Sequence, residues 1–178
     1  MIRDAWVEID KSKLSHNFME VRRAVGDQVK ICAVLKAQCY GLDGVQAGQV
    51  FDSLGADSFA VAVLSEALEV RAVIPEKEIL ILGYVSPAGY DTAIENRITL
   101  PMYREDALLA LNERAGQLGK KALVHIKINS GMNRLGFMPT EESADAIARC
   151  MQLPNLEITG IFTHLATADE ADTSLSHM

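Results

Sequence analysis

Short apolar, β-branched runs alternate along the chain with longer stretches in which apolar residues recur every three or four positions. The runs cover residues 29–35, 58–63, 78–82, 97–102, 122–128 and 158–163. The helical period predicts helices over 11–25, where Leu14, Phe18, Val21 and Val25 share a face, and over 45–54, 65–73, 104–118 and 140–151. Strands separated by helices of this length predict right-handed βα units on a parallel sheet, about six of them. Ser65 reads as an N-cap followed by the first-turn carboxylates of Glu66 and Glu69, and Pro139-Thr140-Glu141-Glu142 opens the last helix in a similar way. Gly26, Gly55 and Gly119 fall where helices should stop. No linker, charge run or low-complexity segment marks a second domain.

A parallel sheet of this kind is either open and doubly wound or part of a closed barrel, and periodicity admits both. The glycine fingerprint of a dinucleotide-binding sheet is missing after the first strand, where Lys36-Ala37-Gln38-Cys39-Tyr40-Gly41 stands instead. That favours a (β/α)8 barrel. In either architecture the reactive groups collect at the carboxyl ends of the strands. Lys36 reads as the last residue of the first strand, either a surface cap or a functional amine, with the Tyr40 hydroxyl and Gly41 at the same rim. In the fifth strand, His125, Lys127 and Asn129 alternate with Val124, Ile126 and Ile128, which fits a polar cavity lining or the wet face of an edge strand. Arg134 sits between Gly131 and Gly136 on the following loop, and His164 ends the last strand. Taken singly, an exposed arginine and a structural histidine are the plainer readings. Together, Lys36, Tyr40, Lys127, Arg134 and His164 have the distribution of one site assembled from several βα loops.

Composition narrows the class. The 178 residues are 49% apolar and 23% charged, with net charge −7 and a pI near 5.1. These values exclude a disordered or coiled-coil chain and argue against nucleic acid or an anionic membrane as partner. Cys32, Cys39 and Cys150 lack metal-type spacing and fit a reduced compartment. The N-terminus has no signal-peptide core, and no apolar run approaches the ~18 residues of a membrane span, so the expected location is the cytoplasm.

Several segments resemble the pyridoxal-phosphate-dependent alanine racemases, which join an N-terminal (β/α)8 barrel to a C-terminal β-domain. They are Trp6-Val7-Glu8-Ile9-Asp10, Val34-Leu35-Lys36-Ala37-Gln38-Cys39-Tyr40-Gly41, Phe59-Ala60-Val61-Ala62 with Glu66-Ala67, Leu80-Ile81-Leu82-Gly83, Asn129-Ser130-Gly131-Met132-Asn133-Arg134-Leu135-Gly136-Phe137, and Thr163-His164-Leu165-Ala166 through Ala168-Asp169. The resemblance implies the cofactor pyridoxal 5'-phosphate. Lys36 matches the Schiff-base lysine that also acts as base on one face of the α-carbon, and Tyr40 matches the phosphate-binding tyrosine. Arg134 matches the arginine near the phenolic oxygen and the substrate carboxylate, and Lys127 the lysine often carbamylated. His164 matches the histidine packed on the pyridine ring, and Leu82 a residue beside the cofactor. The implied activity is interconversion of L- and D-alanine, supplying D-alanine for peptidoglycan, in a cytoplasmic homodimer. Alternatives on the same scaffold are a racemase for serine or lysine and a non-catalytic pyridoxal-phosphate carrier.

The chain departs from the family pattern at Gln38, Cys39 and Leu42, and Asn129-Ser130 replaces the usual Asp-Thr. The second base, a tyrosine of the C-terminal domain, has no counterpart. A (β/α)8 barrel takes about 250 residues, so residues 1–178 are expected to be the N-terminal part of the barrel, without a closing strand. Such a chain is expected to bind the cofactor weakly, to be inactive alone, and to self-associate or be unstable.

Overall fold

A computed structural model describes residues 6–172. The chain divides into two compact units, Met1–Ile79 and Leu80–Met178. The first holds helix α1 (Lys11–Val25), strand β1 (Cys32–Val34), a tight segment Lys36–Gly41, helix α2 (Gly44–Ser53), strand β2 (Ser58–Val61), helix α3 (Leu64–Val73) and the start of strand β3 (Glu78–Ile81). The second holds the end of β3, a 3-10 turn (Pro87–Gly89) leading into helix α4 (Tyr90–Glu95), strand β4 (Leu100–Met102), helix α5 (Glu105–Gln117), strand β5 (Ala122–Lys127), helix α6 (Glu141–Cys150) and strand β6 (Leu156–Phe162). This is an α/β fold with the element order of a (β/α)8 barrel through its sixth strand. Residues 173–178, which include the end expected to lack a closing strand, lie outside the described residues.

In the first unit, the Asp10 carboxylate caps α1 by accepting from the Ser12 and Lys13 amides. Gly26 stops the helix at φ 76°, a left-handed conformation open to glycine. Phe18, on the buried face of α1, stacks on Phe51 of α2 with ring centroids 5.5 Å apart. Strands β1 and β2 pair in parallel, with Ala33 opposite Phe59. Their covered faces meet α2 and α3 through Leu35, Phe59, Val61, Ala67 and Ile74, all essentially inaccessible to water. Burying a side chain such as Phe59 stabilises the fold by about 1.5–3 kcal/mol.

The second unit is built around β5, which pairs in parallel with β4 on one side and β6 on the other. The edge-strand reading of its polar row is therefore excluded. Val124 and Ile126 face the apolar layer formed with Leu100, Leu108, Leu111 and Ala115. An irregularity between Val124 and His125 gives β6 one extra residue, so that Gly160 pairs with His125 and Phe162 with Lys127.

Three expectations need correction. Helix α4 shows no helical period in the sequence because six residues are too few to display one. Lys36 is not a strand residue, since β1 ends at Val34 and Lys36 opens the tight segment. Ser65 is not an N-cap: α3 starts at Leu64 after an extended Val63, without a side-chain cap, and the Glu66 carboxylate accepts from the Ala62 and Ala37 amides instead. Thr140, by contrast, does cap α6 by accepting from the Ser143 amide, and Gly55 and Gly119 take positive φ as their positions imply.

Candidate functional site

In the first unit, the candidate residues sit on an unusual piece of backbone. Ala37, Gln38, Cys39 and Tyr40 all have φ of 51–55°. Left-handed geometry costs roughly 1–2 kcal/mol for each L-residue, and four in succession persist only when surrounding bonds hold them. The Cys39 amide donates to the Leu35 carbonyl at 2.9 Å, the Ala37 amide donates to Glu66 Oε1 at 2.7 Å, and the Cys39 side chain is buried. The turn reverses the chain just past β1 and lifts the Tyr40 ring into solvent. Lys36 Nζ lies 6.0 Å from the centroid of that ring, at the outer limit of a cation–π contact. Amine and phenol are thus presented together on one rim loop.

In the second unit, Lys127, Arg134 and His164 line one shallow pocket with Asn129, Ser130 and Leu135. Each reaches it by a different route. Lys127 ends β5 and is 7% exposed. Its ammonium lies 4.5 Å from the centroid of the Phe162 ring, a contact that exists because the extra residue in β6 brings Phe162 opposite Lys127. Burial pulls the Lys127 pKa below the usual lysine value, and repulsion from Arg134 lowers it further.

Arg134 is carried by a loop that folds back on β5. The Phe137 amide donates to the Lys127 carbonyl at 2.8 Å, and the Asn129 amide to the Phe137 carbonyl at 2.9 Å. Gly136 makes this return possible: its φ is 137°, and a Cβ there would lie 2.3 Å from the Asn129 nitrogen. The buried Asn129 side chain sets the rest of the turn. Its Oδ1 accepts from the amides of Asn133 (2.9 Å) and Gly131 (3.3 Å), and its Nδ2 donates to Asn133 Oδ1 at 3.0 Å. The Asn133 backbone is left-handed, leaving Arg134 exposed at the rim. His164 does not end the last strand as expected: β6 stops at Phe162, and His164 is exposed beyond it, after Thr163, whose hydroxyl donates to the Ile128 carbonyl at 2.9 Å and meets Ser130 Oγ at 2.5 Å.

Among the described residues, no carboxylate lines this pocket. A guanidinium, an ammonium and an imidazole with a hydroxyl and an amide beside them suit an anionic oxygen, such as a phenolate or a carboxylate. The donor set is compatible with the anionic oxygens of pyridoxal 5'-phosphate, the cofactor that the sequence resemblance implies. Leu82 lies half-buried just past β3, but it does not line the Lys127 pocket. A larger cavity of about 520 Å³ lies by the loops after β3 and β4, lined by Tyr84, Tyr90, Tyr103, Arg104 and Leu135 among others. Burial raises the Tyr90 and Tyr103 pKa values. These tyrosines escape a reading confined to strand ends; Asn129 stands out in the alternation of the fifth strand and Glu66 as a first-turn carboxylate, but neither signal shows its role in organising a loop. Among the described residues, no helix is long and apolar enough to cross a membrane.

A family model described as alanine racemase, N-terminal domain, matches residues 9–177. An alanine racemase of Methanococcus maripaludis is 38% identical over 173 residues, covering 97% of this chain and 46% of the relative. Among solved structures, an alanine racemase of Clostridium difficile 630 superposes with a TM-score of 0.91 at 36% identity, over 93% of this chain and 46% of that one. A histidine racemase from Leuconostoc mesenteroides gives a TM-score of 0.85 at 28% identity, over 93% of this chain and 44% of that one. The chain thus spans under half the length of the relatives it matches.

Proposed function

Since the chain belongs to the alanine racemase N-terminal domain family, we propose that residues 1–178 are the N-terminal part of the pyridoxal-phosphate-binding barrel of a racemase interconverting L- and D-alanine. The C-terminal β-domain lies outside these residues. The observation that carries the reading is Lys36, held with Tyr40 on a strained loop at the carboxyl end of β1 in a chain matched to the family from residue 9 to residue 177.

In this reading, Lys36 would hold the cofactor covalently and, once the substrate's amino group has displaced it, its freed amine would move a proton on one face of the substrate α-carbon. The Tyr40 hydroxyl donates to the cofactor phosphate. Arg134 presents its guanidinium to the phenolic oxygen and the substrate carboxylate, and His164 packs its imidazole against the ring. Leu82 supplies an apolar contact beside the cofactor. Pyridoxal 5'-phosphate, when bound, would supply an electron sink for the electron pair left on the α-carbon when its proton is removed. Lys127 is a buried amine with a lowered pKa, a condition that favours the neutral form needed for carbamylation. Addition of carbon dioxide to that neutral amine, with loss of a proton, would give a carbamate anion beside Arg134. The second base comes from the C-terminal domain, and the working enzyme is a cytoplasmic homodimer whose D-alanine serves the cell wall.

Borohydride trapping followed by peptide mass spectrometry tests the assignment: the cofactor should be found on Lys36, and Lys36→Ala should abolish trapping. Covalent cofactor retained by that variant defeats the reading. Turnover of L-alanine by the full polypeptide separates a racemase from a carrier. The histidine racemase that shares this fold at 28% identity favours one second reading, a racemase for a larger amino acid. A higher kcat/KM for L-histidine than for L-alanine would establish it.

A further inference from the structure

Glu66 is the third residue of α3 and lies far from Lys36 in sequence, yet its carboxylate reaches out of its own helix. Oε2 accepts from the Ala62 amide at 2.8 Å, at the end of β2. Oε1 accepts from the Ala37 amide at 2.7 Å. The second bond has a specific stereochemical effect. The Ala37 N–H belongs to the peptide joining Lys36 to Ala37, so pinning it fixes the ψ of Lys36 and the direction in which its side chain leaves the backbone. It also satisfies a donor at the start of the left-handed turn, where Ala37 has φ 53°. Strands β1 and β2 are paired, with Val34 opposite Ala60, and the Leu35 amide donates to the Ala60 carbonyl at 2.8 Å. The half-buried carboxylate therefore ties both strand ends together just beyond their last pairing. Its neighbour Glu69 is exposed and accepts from the Gln38 side-chain amide at 3.3 Å.

We propose that Glu66 is the positioning residue for Lys36: its two charge-assisted hydrogen bonds hold the Lys36–Ala37 peptide in the orientation that presents the amine to the cofactor. The proposal rests on the reading of Lys36 as the cofactor lysine. A glutamine in its place keeps one acceptor but turns an amide donor toward the other N–H, and an alanine keeps neither.

The experiment uses the full chain with pyridoxal 5'-phosphate and compares wild type, Glu66→Ala, Glu66→Gln and, as a control for charge on the same helix, Glu69→Ala. Three quantities are read: the cofactor concentration for half-maximal borohydride trapping on Lys36, the pH midpoint of the absorbance of the lysine-bound cofactor, and the thermal midpoint without cofactor. Losing charge-assisted bonds at this peptide should raise the half-saturating concentration about tenfold or more in Glu66→Ala and less in Glu66→Gln. The pH midpoint should move in both Glu66 variants, and Glu69→Ala should behave as wild type. A purely structural role would lower the thermal midpoint while leaving the pH midpoint of folded protein unchanged, and that result overturns the proposal. So does wild-type trapping in a folded Glu66→Ala. If wild type itself gives no adduct on Lys36, the cofactor reading fails and the positioning role falls with it. If wild type traps normally and the variants do too, only the positioning role falls.

Discussion

Replacing Gly136 by alanine tests whether the Arg134 loop is held as tightly as its geometry implies. The new Cβ would lie 2.3 Å from the Asn129 nitrogen and 2.5 Å from the Ile128 carbonyl carbon, both backbone atoms that cannot swing aside as a side chain would. Relief requires the loop to lift off β5, breaking the bonds from the Phe137 amide to Lys127 and from the Asn129 amide to Phe137. Two such bonds contribute about 1 kcal/mol each, and a positive φ on a non-glycine residue costs about 1–2 kcal/mol more. The expected loss is therefore about 3–4 kcal/mol. Gly119 provides the comparison, because its φ is 62° and nothing lies within 4 Å of its Cβ position; alanine there should cost only what the positive φ costs, about 1–2 kcal/mol. Urea unfolding followed by circular dichroism measures both variants, and amide exchange at Asn129 and Phe137 reports whether the loop has detached. A Gly136→Ala protein no less stable than Gly119→Ala, with both amides still protected, would refute the argument.

Two more consequences are accessible to the same methods. Lys127 has a native pKa below 10.5, the value appropriate to the unfolded chain, so the unfolded state binds more protons between the two values and stability rises with pH across that window. Lys127→Met should remove this rise, and parallel wild-type and variant stabilities through alkaline pH would contradict it. Asn129→Asp keeps the acceptor for the Asn133 and Gly131 amides but sets an oxygen against Asn133 Oδ1 in place of the donated bond. It should cost about 1–2 kcal/mol at neutral pH and recover as the carboxyl protonates, which unfolding at low and neutral pH compares.

The elements were largely legible because strand and helix periods differ. The run at 122–128 and the capped stretch beginning at Thr140 appear as β5 and α6 with small boundary shifts. The polar row His125, Lys127, Asn129 was visible by alternation, and β5's central place in its sheet decides between a lining and an edge. Helix α4 was invisible because six residues show no period. An apolar run ending in lysine has the pattern of a strand to its last residue, whereas the chain leaves the ladder after Val34 and Lys36 lies beyond it.

Local chemistry written along the chain thus determined the α/β class, the strand and helix order and the residue types at the strand ends. Tertiary structure decided what period and composition cannot encode. It placed four residues of the Lys36 segment in left-handed geometry, secured by a carboxylate from α3. It also brought Phe162 under Lys127 through one extra residue in β6. Both depend on partners distant in sequence, and hydrogen-bond and packing energies that exist only when those partners meet leave no periodic trace in either partner alone.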